Sequence, residues 1–159
     1  MKKERLKELM EDCLVSSKEL LLREGKLMPI AFVFGDDVDL VGLTFRDNED
    51  KTRQLALLRE LVSAKNAYAI FVIVESWYVT SDKKELEIEP AKHPMRKECI
   101  FLVGECEEGN ITIMQTFDRN DGEIVFGEKI EMGKIESLKF DFGIVKKGKQ
   151  QNEKLRDLS

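Results

Sequence analysis

Apolar residues recur at helical spacing in two segments of the chain. In residues 3–24 they fall every three or four positions, and Gly25 follows as a natural C-terminal stop. Residues 49–66 repeat this pattern, and Asp47 or Asn48 stands where a helix N-cap is expected. Each predicted helix therefore has one face to bury against the rest of the protein. The apolar positions are Leu6, Leu9, Met10, Cys13, Leu14, Leu20 and Leu21 in the first segment and Leu55, Leu58, Leu61 and Val62 in the second.

The remaining apolar segments have the pattern of strands. Residues 28–45 contain two apolar runs around a Gly- and Asp-rich turn, which predicts a hairpin. Residues 67–79 are apolar on both faces and predict a central strand that is covered on both sides. Further strands are predicted at 98–106, 111–117, 123–132 and 138–145, with turns at Glu108-Gly109-Asn110 and Asn120-Asp121-Gly122.

This order of elements favours an α+β fold. We expect a two-layer sandwich in which two helices cover one face of a mainly antiparallel sheet of about six to seven strands. Residues 1–145 are expected to form one α+β domain. Residues 80–95 are polar and predict a long loop. Apolar periodicity ends after Val145, so residues 146–159 predict a charged, mobile C-terminal tail.

Composition and charge narrow the class of protein. Charged residues make up 36% of the 159 residues, yet the net charge is only -5, so the chain lacks the excess of Lys and Arg typical of nucleic-acid binding. No apolar run reaches the roughly 18 residues of a membrane span, and the N-terminal segment lacks the apolar core of a signal peptide. We therefore expect a cytoplasmic protein with no nucleic-acid partner and no membrane contact. Many Lys and Glu beside few Asn and Gln is a composition seen in thermophiles.

The cysteines do not indicate a disulfide framework or a zinc site. Cys13, Cys99 and Cys106 are an odd number and show no CxxC spacing. They are predicted to be free thiols that act as small apolar residues in a reducing compartment.

Other candidate metal ligands and nucleophile partners are few. Asp36, Asp37 and Asp39 offer oxygens of the kind that Mg²⁺ or Ca²⁺ binds, but no EF-hand pattern is present and Asp is common in turns. His93 is the one histidine of the chain, and a nucleophilic pair with Cys99 is an alternative to a plain loop residue. We therefore predict no metal site and no cofactor.

A carboxylate interrupts the most apolar strand, in the segment VIVESWYV. Alternate residues of a strand share a face, so Glu75 and Trp77 lie together. If the next strand pairs with this one, His93, Arg96 and Glu98 return close to them. This cluster has the composition of an active site or a ligand pocket. Alternatively, Glu75 and Arg96 form a structural ion pair, because an isolated carboxylate is too costly to bury.

The same region carries a resemblance. The segments DKTRQLALLRELV, AIFVIVESWYV and HPMRKECIFL resemble a pattern of uncharacterised bacterial and archaeal proteins over residues 50–102, about a third of the chain. A Lys-led helix there precedes a strand that ends in a Glu-Ser/Ala-Trp element, here Glu75-Ser76-Trp77. A loop then leads to a His-Pro-x-Arg-x-Glu segment, here His93-Pro94-x-Arg96-x-Glu98. The resemblance implies no activity.

Two functional classes remain, and no motif indicates a substrate or a pathway. The first, which we favour, is a small interaction or self-assembling module, such as a homodimer, in which self-pairing protects the edge strands of the sheet. The second is an enzyme or small-ligand binder that uses the cluster of Glu75, Trp77, His93, Arg96 and Glu98.

Overall fold

Two helices and six strands make up the described part of the chain. The computed structural model describes residues 1–78, 97–132 and 141–145. The predicted α+β class, with two helices and an antiparallel sheet, is confirmed. In chain order the elements are α1 (Lys3–Glu24), β1 (Ile30–Phe34), β2 (Val38–Gly42), α2 (Asn48–Ala64), β3 (Ala69–Tyr78), β4 (Lys97–Cys106), β5 (Gly109–Asn120) and β6 (Glu123–Met132).

The strands form one sheet in the order β2-β1-β3-β4-β5-β6, and every neighbouring pair is antiparallel. Because β2 and β3 are both antiparallel to β1, they run in the same direction, and the segment containing α2 connects them past β1. The register places Phe32 beside Phe71 and Ile73 beside Leu102. The strand predicted from the double-sided apolar run, β3, therefore lies at the centre of the sheet.

The helices cover opposite faces of the sheet. In α1, Leu6 and Met10 pack where β4 has Gly104, and a Cβ at Gly104 would lie 2.5 Å from the Met10 Sδ. In α2, Leu55 and Leu58 belong to a second core with residues of alternate strand positions, including Val72. The described residues thus form three layers rather than the expected two. A strand that is apolar on both faces needs a cover on both.

Local signals place the turns and caps where the sequence predicted them. Gly25 ends α1 in a left-handed conformation, with φ of 76°. Asp47 caps α2 by accepting a hydrogen bond from the Asp50 backbone N at 2.7 Å. The hairpin between β5 and β6 turns at Asp121 and Gly122, whose φ values are 50° and 83°. Positive φ at both positions is what a tight hairpin turn requires.

The strand predicted at 138–145 is wrong for residues 141–145. Ile144 and Val145 have helical backbone, and the buried carboxylate of Glu105 on β4 accepts hydrogen bonds from this segment. Its donors are the backbone N–H groups of Phe142 and Ile144, both at 2.8 Å, and of Val145 at 3.1 Å. A side chain, not a neighbouring strand, therefore satisfies these backbone groups. The alternation of apolar residues correctly indicates burial, because Phe142 and Ile144 are both buried, but it does not indicate their backbone conformation.

Other expectations fall outside the described residues. These are residues 138–140 of the last predicted strand, the loop at 80–95 and the tail at 146–159. The domain boundary after Val145 therefore stays a prediction.

Glu105→Gln is expected to lower the free energy of unfolding by about 3 kcal/mol. The neutral amide brings an N–H₂ group toward three backbone N–H donors, which then lose their charged acceptor. Glu123→Gln, at an exposed position of β6, serves as the control and should leave stability within about 0.5 kcal/mol. Urea denaturation of the three proteins measures the difference. Equal unfolding midpoints would show that Glu105 is not what holds residues 142–145.

Candidate functional site

Three of the five candidate site residues meet at one end of β3. The predicted pairing of the two strands is confirmed, because Trp77 lies opposite Glu98 in the register of β3 and β4. Glu75 lies two residues earlier in β3, on the same face as Trp77 and opposite Ile100. Helix α1 ends before it covers this end of the sheet. Polar side chains can therefore occupy the face that α1 covers elsewhere. His93 and Arg96 lie outside the described residues.

An arginine from β5 bridges the two glutamates. The Arg119 Nη2 donates to Glu75 Oε1 at 2.8 Å, and its Nε donates to Glu98 Oε2 at 2.9 Å. The guanidinium carbon lies 5.5 Å from the centre of the Phe117 ring. The second oxygen of Glu75 accepts a hydrogen bond from the Leu27 backbone N at 3.2 Å. Glu75 therefore ties the connection after α1 to the central strands.

Glu75 forms an ion pair with an arginine, as expected, but sequence reasoning missed that this arginine is Arg119. An arginine accompanies the carboxylate, as predicted, yet it comes from β5; contact with Arg96 stays a prediction. Glu75 is also less buried than expected, with 22% of its side chain exposed. The available signal was the turn at Glu108-Gly109-Asn110, because the β4–β5 register that it sets pairs Glu98 with Phe117, two residues before Arg119.

A recess of about 310 Å³ opens beside this bridge. It lies where the pairing of β1 with β3 ends, because β1 pairs with β3 only as far as Ile73. The recess combines two carboxylates with apolar side chains and two aromatic residues. Trp77 is 38% exposed. The lining residues are Leu27, Pro29, Phe45, Val74, Glu75, Ser76, Trp77 and Glu98.

Cys99 is not suited to act as a nucleophile. It lies buried on β4, and burial, reinforced by the negative charges of Glu75 and Glu98, raises the pKa of its thiol to about 12. The reactive form of a cysteine is the thiolate, which is scarce at neutral pH when the pKa is so high. This argues against the Cys99–His93 pair considered from the sequence. The prediction of three free thiols is confirmed.

The three aspartates around the first hairpin serve as turn and surface residues. The Gly35 backbone N donates to the Asp37 backbone O at 3.0 Å, and the Asp39 carboxylate lies 3.7 Å from the Lys65 Nζ. Within the described residues, no three His, Cys, Asp or Glu side chains are grouped to hold a metal ion.

A second notable surface is the α1-side face of β1 and β2. Most packing contacts of α1 are with β4, β5 and β6, which leaves the other end of this face less covered. Leu40 is 64% exposed, Val38 is 51% exposed and Met28 is 63% exposed, while Ile30 and Phe32 are half-buried beside them. Contiguous exposed apolar side chains of this kind mark interaction sites.

Comparison with known proteins identifies a family. A family model described as bacteriophage lambda protein ea47 matches residues 1–158. The chain belongs to this family. Searches of curated proteins and of solved structures gave no match. The ea47 description names no activity, and the narrower resemblance to bacterial and archaeal proteins stays a prediction. In the described parts of this ea47-family chain, neither helix has the length and hydropathy needed to cross a membrane.

Arg119→Ala is expected to lower the free energy of unfolding by about 2 kcal/mol, because it leaves two mostly buried carboxylates without their cation. Arg5→Ala is the matched control. It breaks an Arg–Glu pair whose two side chains are 59% and 65% exposed, so the change should be below about 0.5 kcal/mol. Chemical denaturation compares the two variants with the parent. Equal losses would mean that the Arg119 bridge adds no more than a surface pair.

Cys13 is expected to react with iodoacetamide before Cys99 and Cys106 in the folded protein. Cys13 is half-buried, whereas the other two are buried, and Cys99 stays protonated until the pH approaches about 12. Peptide mapping after a short pulse at pH 8 gives the order of labelling. All three should label in urea; faster native labelling of Cys99 would contradict its burial.

Proposed function

We propose that this ea47-family chain is an interaction module that associates with a second copy of itself through β2, an edge strand of the described sheet. The observation that carries this proposal is the exposure of Leu40 and Val38 on an edge strand. An edge strand with exposed apolar side chains is a template for pairing with another strand. Both the edge-strand backbone of β2 and its exposed apolar side chains therefore favour association with another strand.

The backbone of β2 has its hydrogen-bonding groups correctly aligned for pairing. The Leu43 backbone N donates to the Pro29 backbone O at 2.8 Å, so odd-numbered residues of this strand face β1. Hydrogen-bonded and non-hydrogen-bonded residue pairs alternate in an antiparallel ladder. The N–H and C=O groups of Val38, Leu40 and Gly42 consequently point toward the open edge.

A two-fold arrangement of two β2 strands fits the side chains. Pairing centred on Leu40 places this residue opposite Leu40 of the second copy and Val38 opposite Gly42 of the second copy. No atom lies within 4 Å of a Cβ position at Gly42, which leaves room for the valine. The same register sets Asp36 opposite Thr44, two residues from Arg46, whose side chain is 83% exposed.

The other edge of the sheet is protected against such pairing. On β6, Lys129 pairs with Glu11 at 3.2 Å and Glu131 pairs with Lys7 at 2.8 Å. Charged side chains along an edge discourage strand addition. By contrast, β2 carries one charged residue, Asp39. Self-association is therefore assigned to β2 rather than β6.

Leu40→Lys is expected to convert the dimer to a monomer, because it places two ammonium groups opposite each other at the centre of the interface. Val125→Lys is the matched control, since Val125 is equally apolar on the opposite edge and 51% exposed. Light scattering during size-exclusion chromatography at several concentrations gives the mass of each protein. A parent that stays monomeric at high concentration, or two variants that behave alike, would refute the assignment to β2.

A cytoplasmic location is part of this proposal. Three free thiols in one small chain persist most readily in a reducing compartment.

Ligand binding or catalysis at the end of β3 is the second candidate function. The recess beside Glu75, Trp77 and Glu98 supports it. A contribution of His93 and Arg96 to that site stays a prediction.

A further inference from the structure

The bridge at the end of β3 leaves one negative charge uncompensated among its members. Glu75 and Glu98 contribute two carboxylates, and Arg119 contributes one guanidinium between them. Both oxygens of Glu75 are engaged, one by Arg119 and the other by the Leu27 backbone N. Glu98 is bound to Arg119 through Oε2. These contacts use only one of the two Glu98 oxygens, so Glu98, which lines the recess, keeps more acceptor capacity than Glu75.

The walls of the recess suit an apolar stem attached to a cation. Leu27, Pro29, Phe45 and Val74 line it together with the indole of Trp77. A volume of about 310 Å³ is at the small end of the range for ligand pockets. An anion would meet repulsion from Glu98 and find Arg119 already engaged by two carboxylates.

We propose that this recess binds an alkyl-guanidinium or alkyl-ammonium group, with Glu98 as the charged acceptor and Trp77 beside the stem. Such a group occurs in free polyamine-type metabolites and in the Arg or Lys side chains of a protein partner. The inference concerns a different part of the molecule from β2, and it does not depend on self-association.

The single tryptophan of the chain makes the proposal directly testable. Trp77 fluorescence is followed during titration with butylguanidinium and with butylurea, a neutral molecule of nearly the same shape. Butylguanidinium is expected to give a saturable change, and butylurea is not. N-acetyl-argininamide and agmatine are titrated next, and the tighter of the two identifies a peptide side chain or a free amine as the source of the group.

Two variants link the signal to the carboxylate. Glu98→Gln keeps the shape of the side chain and should weaken butylguanidinium binding about tenfold, the loss expected for one charge-assisted hydrogen bond. Glu60→Gln, at an exposed position of α2, should leave the affinity unchanged. Circular dichroism shows whether each variant is folded.

Titration of the parent protein with butylguanidinium and butylurea tests the proposal even if Glu98→Gln fails to fold. Absence of a saturable change with butylguanidinium, or equal binding of butylurea, would overturn the proposal. So would a folded Glu98→Gln protein that binds as tightly as the parent.

Discussion

Burial of β3 on both faces is the constraint on which the rest of this structure depends. Its residues Ala69 to Ile73 are buried on both sides, so two separate layers must cover the sheet. On one face α1 supplies the cover, with Gly104 of β4 allowing Met10 to approach the strand closely. On the other face α2 and residues 142–145 supply it. Where this double cover ends, beyond Ile73, the strand becomes polar and a recess opens.

Two sites stabilise buried or partly buried carboxylates with different hydrogen-bond donors. Glu105 is 1% exposed and is satisfied by three backbone N–H groups from a segment far along the chain. Glu75 and Glu98 are partly exposed and share the guanidinium of Arg119. Because a buried carboxylate is costly unless it is hydrogen-bonded, each arrangement also fixes the segments that supply the donors. Glu105 thus has a structural explanation, whereas the Arg119 bridge borders open space.

The two edge strands of the sheet differ in the side chains that they carry and in whether these side chains are paired. The side chains of β6 form ion pairs with α1, which ties this edge to its own helix. The outer side of β2 presents Val38 and Leu40 instead. This asymmetry favours an interaction through one edge over aggregation through both. It also separates the proposed self-association from the proposed cation site, which lies where β3 extends beyond its pairing with β1.

Local patterns in the sequence determined most of the elements. The spacing of apolar residues placed α1 and β6 at their observed bounds, and the Asn-Asp-Gly turn located the last hairpin, because these features depend on neighbouring residues alone. The pairing of β3 with β4 also followed from order along the chain, which brought Glu75, Trp77 and Glu98 together. The tertiary structure decided which residue meets each carboxylate. Arg119 reaches Glu75 across β4, and residues 142–145 reach Glu105 from a position 37 to 40 residues further along the chain. Apart from the turn that sets the β4–β5 register, no local pattern encodes these contacts, because they result from sheet register and layer packing rather than from neighbouring residues.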